Sequence, residues 1–218
     1  MEMIDAAAFW QQTRQDVQGP SGQQQGAPAP PLELPYDAQA LTALPDPAGA
    51  APAPVDFLKL VTARRTQRSY RPAPLSLAEL SLLLWCTQGV TKHEPGVRTL
   101  RTVPSAGARH AFETMLLVND VDGLAPGVYR FVATQHALAD QQFTAARIEA
   151  LIDGFRNVNL LTQSAAVFMW IASVERMTWK FGARGHRYLL LDAGHICQNL
   201  YLACGSIGCG ACAIGSFD

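Results

Sequence analysis

The sequence predicts an α+β domain whose sheet is largely antiparallel. Two observations carry this. Segments with strand character and segments with helical character follow one another without the regular alternation of parallel βαβ units. In addition, GLAPGVYRFVATQHALAD, residues 123–140, reads as a hairpin, which joins neighbouring antiparallel strands.

The elements follow in chain order. Gly19–Pro54 is rich in Pro, Gly, Gln and Ala, with GPSGQQQGAPAPP and PDPAGAAPAP inside it. Such composition cannot build a packed core alone. Residues 1–54 are therefore expected to form an extended arm or linker, and residues 55–218 the folded domain. A first helix is expected from about Val55 to Arg65. A second spans Ser76 to Cys86; Ser76 followed three residues later by Glu79 is a capping box. Residues 92–110, KHEPGVRTLRTVPSAGARH, read as a polar loop. FETMLLVND, residues 112–120, is a strand, and the hairpin comes next. Thr144–Gly154 is a helix and Ala165–Ser173 a buried strand. Tyr188–Ile207 is a long, mostly apolar helix interrupted by small residues. GCGACAIGSFD then approaches a last strand. No internal repeat is visible.

Composition narrows the function classes. The 218 residues suffice for one large or two small domains with a sizeable core. Hydrophobic residues make up 49%, the net charge is −1 and the mean hydropathy is +0.05. That balance excludes a general nucleic-acid or membrane-surface binder. The first ten residues, MEMIDAAAFW, carry acids where a secretory signal carries lysines. The longest apolar run, residues 164–174, is shorter than the ~20 residues of a membrane span. A soluble, cytoplasmic protein is expected. There are five cysteines, Cys86, Cys197, Cys204, Cys209 and Cys212. An odd count argues against a disulfide framework. The CxxC at Cys209 and Cys212 lies in a run of small residues, where cysteine serves as a small hydrophobe; no metal site is expected.

Against this neutral background stands RRTQRSY, residues 64–70, with three arginines in five positions. A guanidinium is a rigid fork that matches phosphate or carboxylate. If the segment is helical, Arg64 and Arg68 share a face and Thr66 adds a hydroxyl. The same residues could instead form a solvated basic face or cap a helix C-terminus. Two further stretches combine small residues that let a backbone approach a flat ligand: VPSAGARH, residues 103–110, and IGCGACAIGSFD, residues 207–218. Together they describe a ligand with a phosphate tail and a planar head. The chain has no GxxxxGK[ST] and no GxGxxG after an early strand, so P-loop and Rossmann sites are disfavoured.

Other polar residues admit two readings. Lys180, between Trp179 and Phe181, is either a desolvated proton acceptor or a surface lysine whose stem covers the rings. His110 and His195 are either proton relays or packed, hydrogen-bonded histidines. His93 and His186 read as loop residues, and Asp192 and Asn199 as structural. No Ser, His and Asp arrangement for acyl transfer stands out.

RRTQRSY, LLLWCTQGVT, RTVPSAGARHAFETMLLV, GVYRF and RYLLLDAGHICQNLYLACGSIGCGACAIGSF occur in this order. In that order and spacing the sequence resembles the nitroreductase superfamily of flavin enzymes. Within it, it resembles the SagB-type dehydrogenases, which include thiazoline and oxazoline oxidases. The resemblance implies a dimeric, nitroreductase-like fold that binds FMN and transfers electrons in ping-pong fashion. It places Arg64, Arg65, Thr66 and Arg68 on the phosphate and ribityl chain. Pro104, Ser105, Ala106 and Gly107 then lie against the flavin ring, with Ile214, Gly215 and Ser216 at its N5 edge and Gln88 at a polar edge. NAD(P)H is the implied reductant of a nitroreductase, and oxygen the reoxidant of a SagB-type oxidase. The implied partners are a second copy of the chain and a small-molecule or peptide substrate.

Two departures from the family pattern stand out. Azoline oxidases carry a Lys-Tyr pair implicated in proton abstraction. Here Lys180 is followed by Phe181, which cannot exchange a proton. Lys180 therefore stands as the catalytic candidate, and azoline oxidation is expected to be weak. The family also runs on past the GSFD turn, so a C-terminally truncated domain is expected. The alternatives are a catalytically weakened flavin-binding paralogue, or a subunit of a peptide-modifying complex that docks through the Pro-rich arm.

Overall fold

The computed structural model describes residues 5–50 and 54–217. Among the described residues, seven α-helices and seven strands follow one another along the chain. Helix α1 is Ala6–Gln12, strand β1 is Leu41–Ala43, and helix α2 is Phe57–Ala63. Helix α3 is Leu77–Gln88, followed by β2, Val90–Glu94, and β3, Arg98–Arg101. Then come β4, Phe112–Val118; β5, Gly127–Val132; and β6, Ala137–Asp140. Helices α4, Ala145–Asp153, and α5, Val158–Gln163, lead to β7, Ala166–Ala172. Helices α6, Val174–Phe181, and α7, Gly185–Ser206, complete the order.

The main sheet runs β1-β6-β5-β4-β7, and every neighbouring pair is antiparallel. Side chains alternate across it. One face carries Leu116, Val118, Tyr129 and Phe131 against Leu80 and Leu84 of α3. At one end of that face, Phe112 and Trp170 pack with Met177 of α6 and with Leu189 and Ile196 of α7. Helix α3 also meets α7 through Leu83, Ala203 and Cys204. Thus α7 is the spine behind the sheet. No helix among the described residues is long and apolar enough to cross a membrane.

Local chemistry explains the helix starts. Ser76 caps α3 by accepting from the Glu79 amide, and the Glu79 carboxylate accepts from the Ser76 amide, completing the capping box. Thr144 caps α4 by accepting from the Arg147 amide, and Asp56 caps α2 by accepting from the Lys59 amide.

Four expectations are corrected. Residues 92–110 are not simply a loop: β2 and β3 form their own antiparallel hairpin, turned at Gly96, whose φ is +70°. Its strands are mostly exposed and polar, so no apolar alternation marked them. The first helix is shorter than Val55–Arg65, because Arg64 leaves helical geometry at φ −52°, ψ 123°. Helix α7 begins at Gly185 rather than Tyr188. The Gly-rich end forms isolated bridges, Thr66 with Ala211 and Phe155 with Phe217, where a strand was expected.

The Pro-rich stretch docks on the domain in pieces, and 51–53 fall outside the described residues: Gln23 and Ala27 bond to Trp179 of α6, while residues 33–35 and β1 lie against the sheet. Glu33 accepts from the Ala133 and Thr134 amides. Arg130 donates to the carbonyls of Leu34 and Pro35, and β1 pairs with β6. The anchor behind this is a buried ion cluster on the sheet face opposite α3. The Glu113 carboxylate accepts from Arg176 at 2.5 Å, from Arg130 at 3.3 Å and from the Leu34 amide at 3.0 Å.

Candidate active site

Two groups of predicted residues come together around α7. At its C-terminal half, Tyr201 is the hub. Its hydroxyl accepts from the Ala213 amide at 2.8 Å and lies 3.3 Å from the Thr66 hydroxyl. The Arg64 guanidinium stands over its ring, 5.5 Å from the centroid. Gln67 donates its amide to Ala211, and its side chain fills the space beside Gly210, where a Cβ would come within 2.6 Å. RRTQRSY is therefore joined to the Gly-rich end of the chain, although more than 130 residues separate them.

The arginines do not share a helical face, because α2 has already ended. Arg65 turns back and donates to the Thr62 and Arg64 carbonyls, capping the helix C-terminus. Arg68 is exposed. Among the described residues, no carboxylate lies within ion-pair distance of Arg64, Arg65 or Arg68. The donor set thus fits an anion, and the Thr66 hydroxyl beside it is of the right kind.

The second group lies nearer the start of α7, about 13 Å along the helix axis from Tyr201. Ser105 accepts from the His110 amide at 2.9 Å, and the Asp192 carboxylate accepts from the Ala106 amide at 3.3 Å. Gly107 has φ +58°, and a Cβ there would come within 2.9 Å of the Lys180 methylenes and of the Phe181 ring. The small residue is thus required by both its backbone and its neighbours. The turn Gly182–Arg184 folds α7 back on α6, so Tyr188 meets Phe181 edge-on at 4.7 Å. Lys180, half-buried, holds its ammonium 5.8 Å from the Phe181 ring centre.

Electrostatics differ between the two groups. Burial pushes the Asp192 carboxyl up, against the opposing pull of the Ser105 hydroxyl, the Ala106 amide and His195. Burial, reinforced by the charges of Arg101 and Arg109, lowers His110 to about 3, which keeps it neutral. Burial likewise raises Cys204 to about 12. All five cysteines are free thiols.

The profile of the nitroreductase family matches residues 61–218, which take in both groups. The chain belongs to the nitroreductase family. It is accordingly a nitroreductase-family oxidoreductase. A Methanocaldococcus jannaschii protein assigned by name to the nitroreductases, MJ1384, is 34% identical over 154 residues, covering 71% of this chain and 75% of its own. The trifolitoxin-processing protein TfxB of Rhizobium leguminosarum bv. trifolii is 29% identical over 148 residues, 63% of this chain and 39% of TfxB. A crystal structure from Anabaena variabilis, described as a nitroreductase, is 28% identical with a TM-score of 0.60. It covers 73% of this chain, which spans only 32% of that one. A Ralstonia eutropha structure shares the fold, with 22% identity, a TM-score of 0.57, and coverage of 84% of this chain and 77% of its own.

The remaining predicted residues lie around these groups. Gln88 is buried at the end of α3, and its carbonyl accepts from Arg101 at 3.0 Å. Ser216 sits against the α4–α5 connection, where it accepts from Asn157 at 2.9 Å; Ile214 and Gly215 precede it in that segment. Pro104 is exposed at the start of the turn. Sequence reasoning missed Tyr201 as the hub and gave Asp192 only a structural role. Tyr201 lies in an apolar helix with no local motif to mark it.

Proposed function

We propose that this nitroreductase-family chain binds FMN and works as a flavin-dependent oxidoreductase, acting as a homodimer. The observation that carries the reading is the double attachment to α7. The Arg64 guanidinium and the Thr66 hydroxyl meet at Tyr201, and a small-residue turn is held at Asp192 about two and a half helical turns away. That spacing suits a ligand with an anionic tail and a flat head. Arg64, Arg68 and Thr66 would hold the phosphate; Ser105, Ala106 and Gly107 would face the ring. FMN, when bound, supplies the two-electron chemistry. The chain's part is to bind it, orient it and place the Lys180 ammonium beside it. NAD(P)H is the proposed reductant.

The dimer is supported by the outer face of α7. Leu190 is 71% and Leu191 58% exposed, and Gly194 has open space before it. Phe57 and Leu58 of α2, a helix that packs on α7 at Gly205, are exposed as well. The test is the purified protein itself, reconstituted with FMN. Flavin absorbance near ~370 and ~450 nm that survives gel filtration supports the reading. Bleaching of the longer-wavelength band by NAD(P)H identifies the donor, and light scattering gives the mass. Protein that emerges colourless after reconstitution overturns the proposal.

A second reading, azoline oxidation in a peptide-modifying complex, is favoured by the likeness to a protein named for trifolitoxin processing. Tyr188, seven residues on in sequence, lies beside Phe181 and supplies a phenol there. Oxidation of a thiazoline peptide by the unmodified protein, lost in Tyr188→Phe, would establish it.

A further inference from the structure

The turn after Pro104 has an unusual backbone. Gly107, Ala108 and His110 all have positive φ, at 58°, 53° and 43°. For Ala and His this is a sparsely populated conformation, which persists only where the surroundings enforce it. Two bonds from outside the local backbone do so: Ser105 Oγ takes the His110 amide, and Asp192 Oδ1 takes the Ala106 amide. Asp192 is 3% exposed, and its other oxygen, Oδ2, is buried with no partner among the described residues. A side chain so enclosed is fixed in place and cannot swing away to water. It belongs to α7, the helix that also carries Tyr201 at the arginine end.

We propose that Asp192 is a positioning residue of the flavin site: it grips the Ala106 amide, holds Ser105–His110 in its left-handed shape, and so sets the distance between the ring-facing turn and the arginines. The proposal rests on the FMN reading above for the ligand, and on the geometry alone for the grip. What the grip needs is an acceptor oxygen of the carboxylate's shape. Asp192→Asn retains one, and Asp192→Leu removes it at similar volume.

The experiment uses residue-resolved amide exchange of the full chain without FMN, followed by FMN titration. In the unmodified protein the Ala106 amide exchanges slowly; an amide there as fast as an exposed one overturns the proposal before any variant is made. Asp192→Leu speeds that amide by about tenfold or more and weakens FMN binding, while Asp192→Asn keeps both near the parent. Unchanged exchange in Asp192→Leu, or equal damage in both variants, overturns the grip. Faster exchange with unaltered FMN affinity leaves the grip standing and removes the turn from the flavin site. If the parent binds no FMN, the exchange arm still decides the grip.

Discussion

Replacing Glu113 with leucine should destabilise the fold more than any surface change. The carboxylate is 5% exposed and sits between Arg176 and Arg130, whose side chains are 2% and 5% exposed. It also accepts from the Leu34 amide. Removing one partner of a buried pair costs about 3–5 kcal/mol, because the remaining charge keeps its desolvation penalty. The orphaned amide adds about 1 kcal/mol or more. At about 2–4 °C per kcal/mol for a domain of this size, the melting temperature falls by roughly 10–20 °C. Urea unfolding of the parent, Glu113→Leu, Arg176→Met and the double variant measures both loss and coupling. The double variant should cost less than the sum of the singles, since it removes two charges that need each other. A Glu113→Leu loss under about 1 kcal/mol, or strict additivity, would refute the reasoning.

Three other outcomes follow from the geometry. Changing Arg64 and Arg68 together to alanine should weaken FMN binding by roughly tenfold or more; unchanged affinity by fluorescence titration removes them from the phosphate. Gly107→Ala should cost about 1 kcal/mol for the left-handed backbone and displace the Lys180 methylenes, so melting drops slightly while turnover drops more; parent-like values of both contradict the packing. His110 has a folded value of about 3 against 6.5 for the free side chain, so the unfolded chain takes up the proton first. Stability from this residue is complete above pH 6.5 and is lost as pH falls toward 3. His110→Asn, which tolerates the positive φ, should flatten that part of the pH–stability curve; an unaltered slope places the acid sensitivity elsewhere.

Where the sequence was informative, a local rule and the tertiary structure agreed. The Ser76–Glu79 box marks α3 because both bonds form within one turn. The strand at residues 112–120 and the hairpin after it were legible for a similar reason: they are apolar and bounded by Asn, Asp, Gly and Pro. Helix α6 was missed: its buried residues are Arg176 and Met177, and an arginine buried against a glutamate 63 residues away has no local signature. The β2–β3 hairpin was missed because charge on exposed strands resembles a loop. At the site, the arginine segment was visible as composition, but its geometry was not. Whether residues 64–68 are helical is decided by pairing with Ala211, a contact no window of sequence contains. The sequence left the nearness of Tyr188 to Phe181 open, since seven residues bring the two together only with a turn, and Gly182–Arg184 supplies it.

The pairing of β1 with β6 bears on where this protein can be cut. The family profile begins at residue 61, after β1 and after the Glu33–Pro35 clasp. A fragment trimmed to that boundary would leave the outer rim of β6 with bare amides and carbonyls, ready to template another copy. Arg130 would lose the two carbonyls it now serves, and Glu113 the Leu34 amide that donates to it. Insolubility of such a fragment would then say nothing about the flavin chemistry of the whole chain. The safe starting point for expression lies upstream of Glu33, in a stretch that similarity alone would discard.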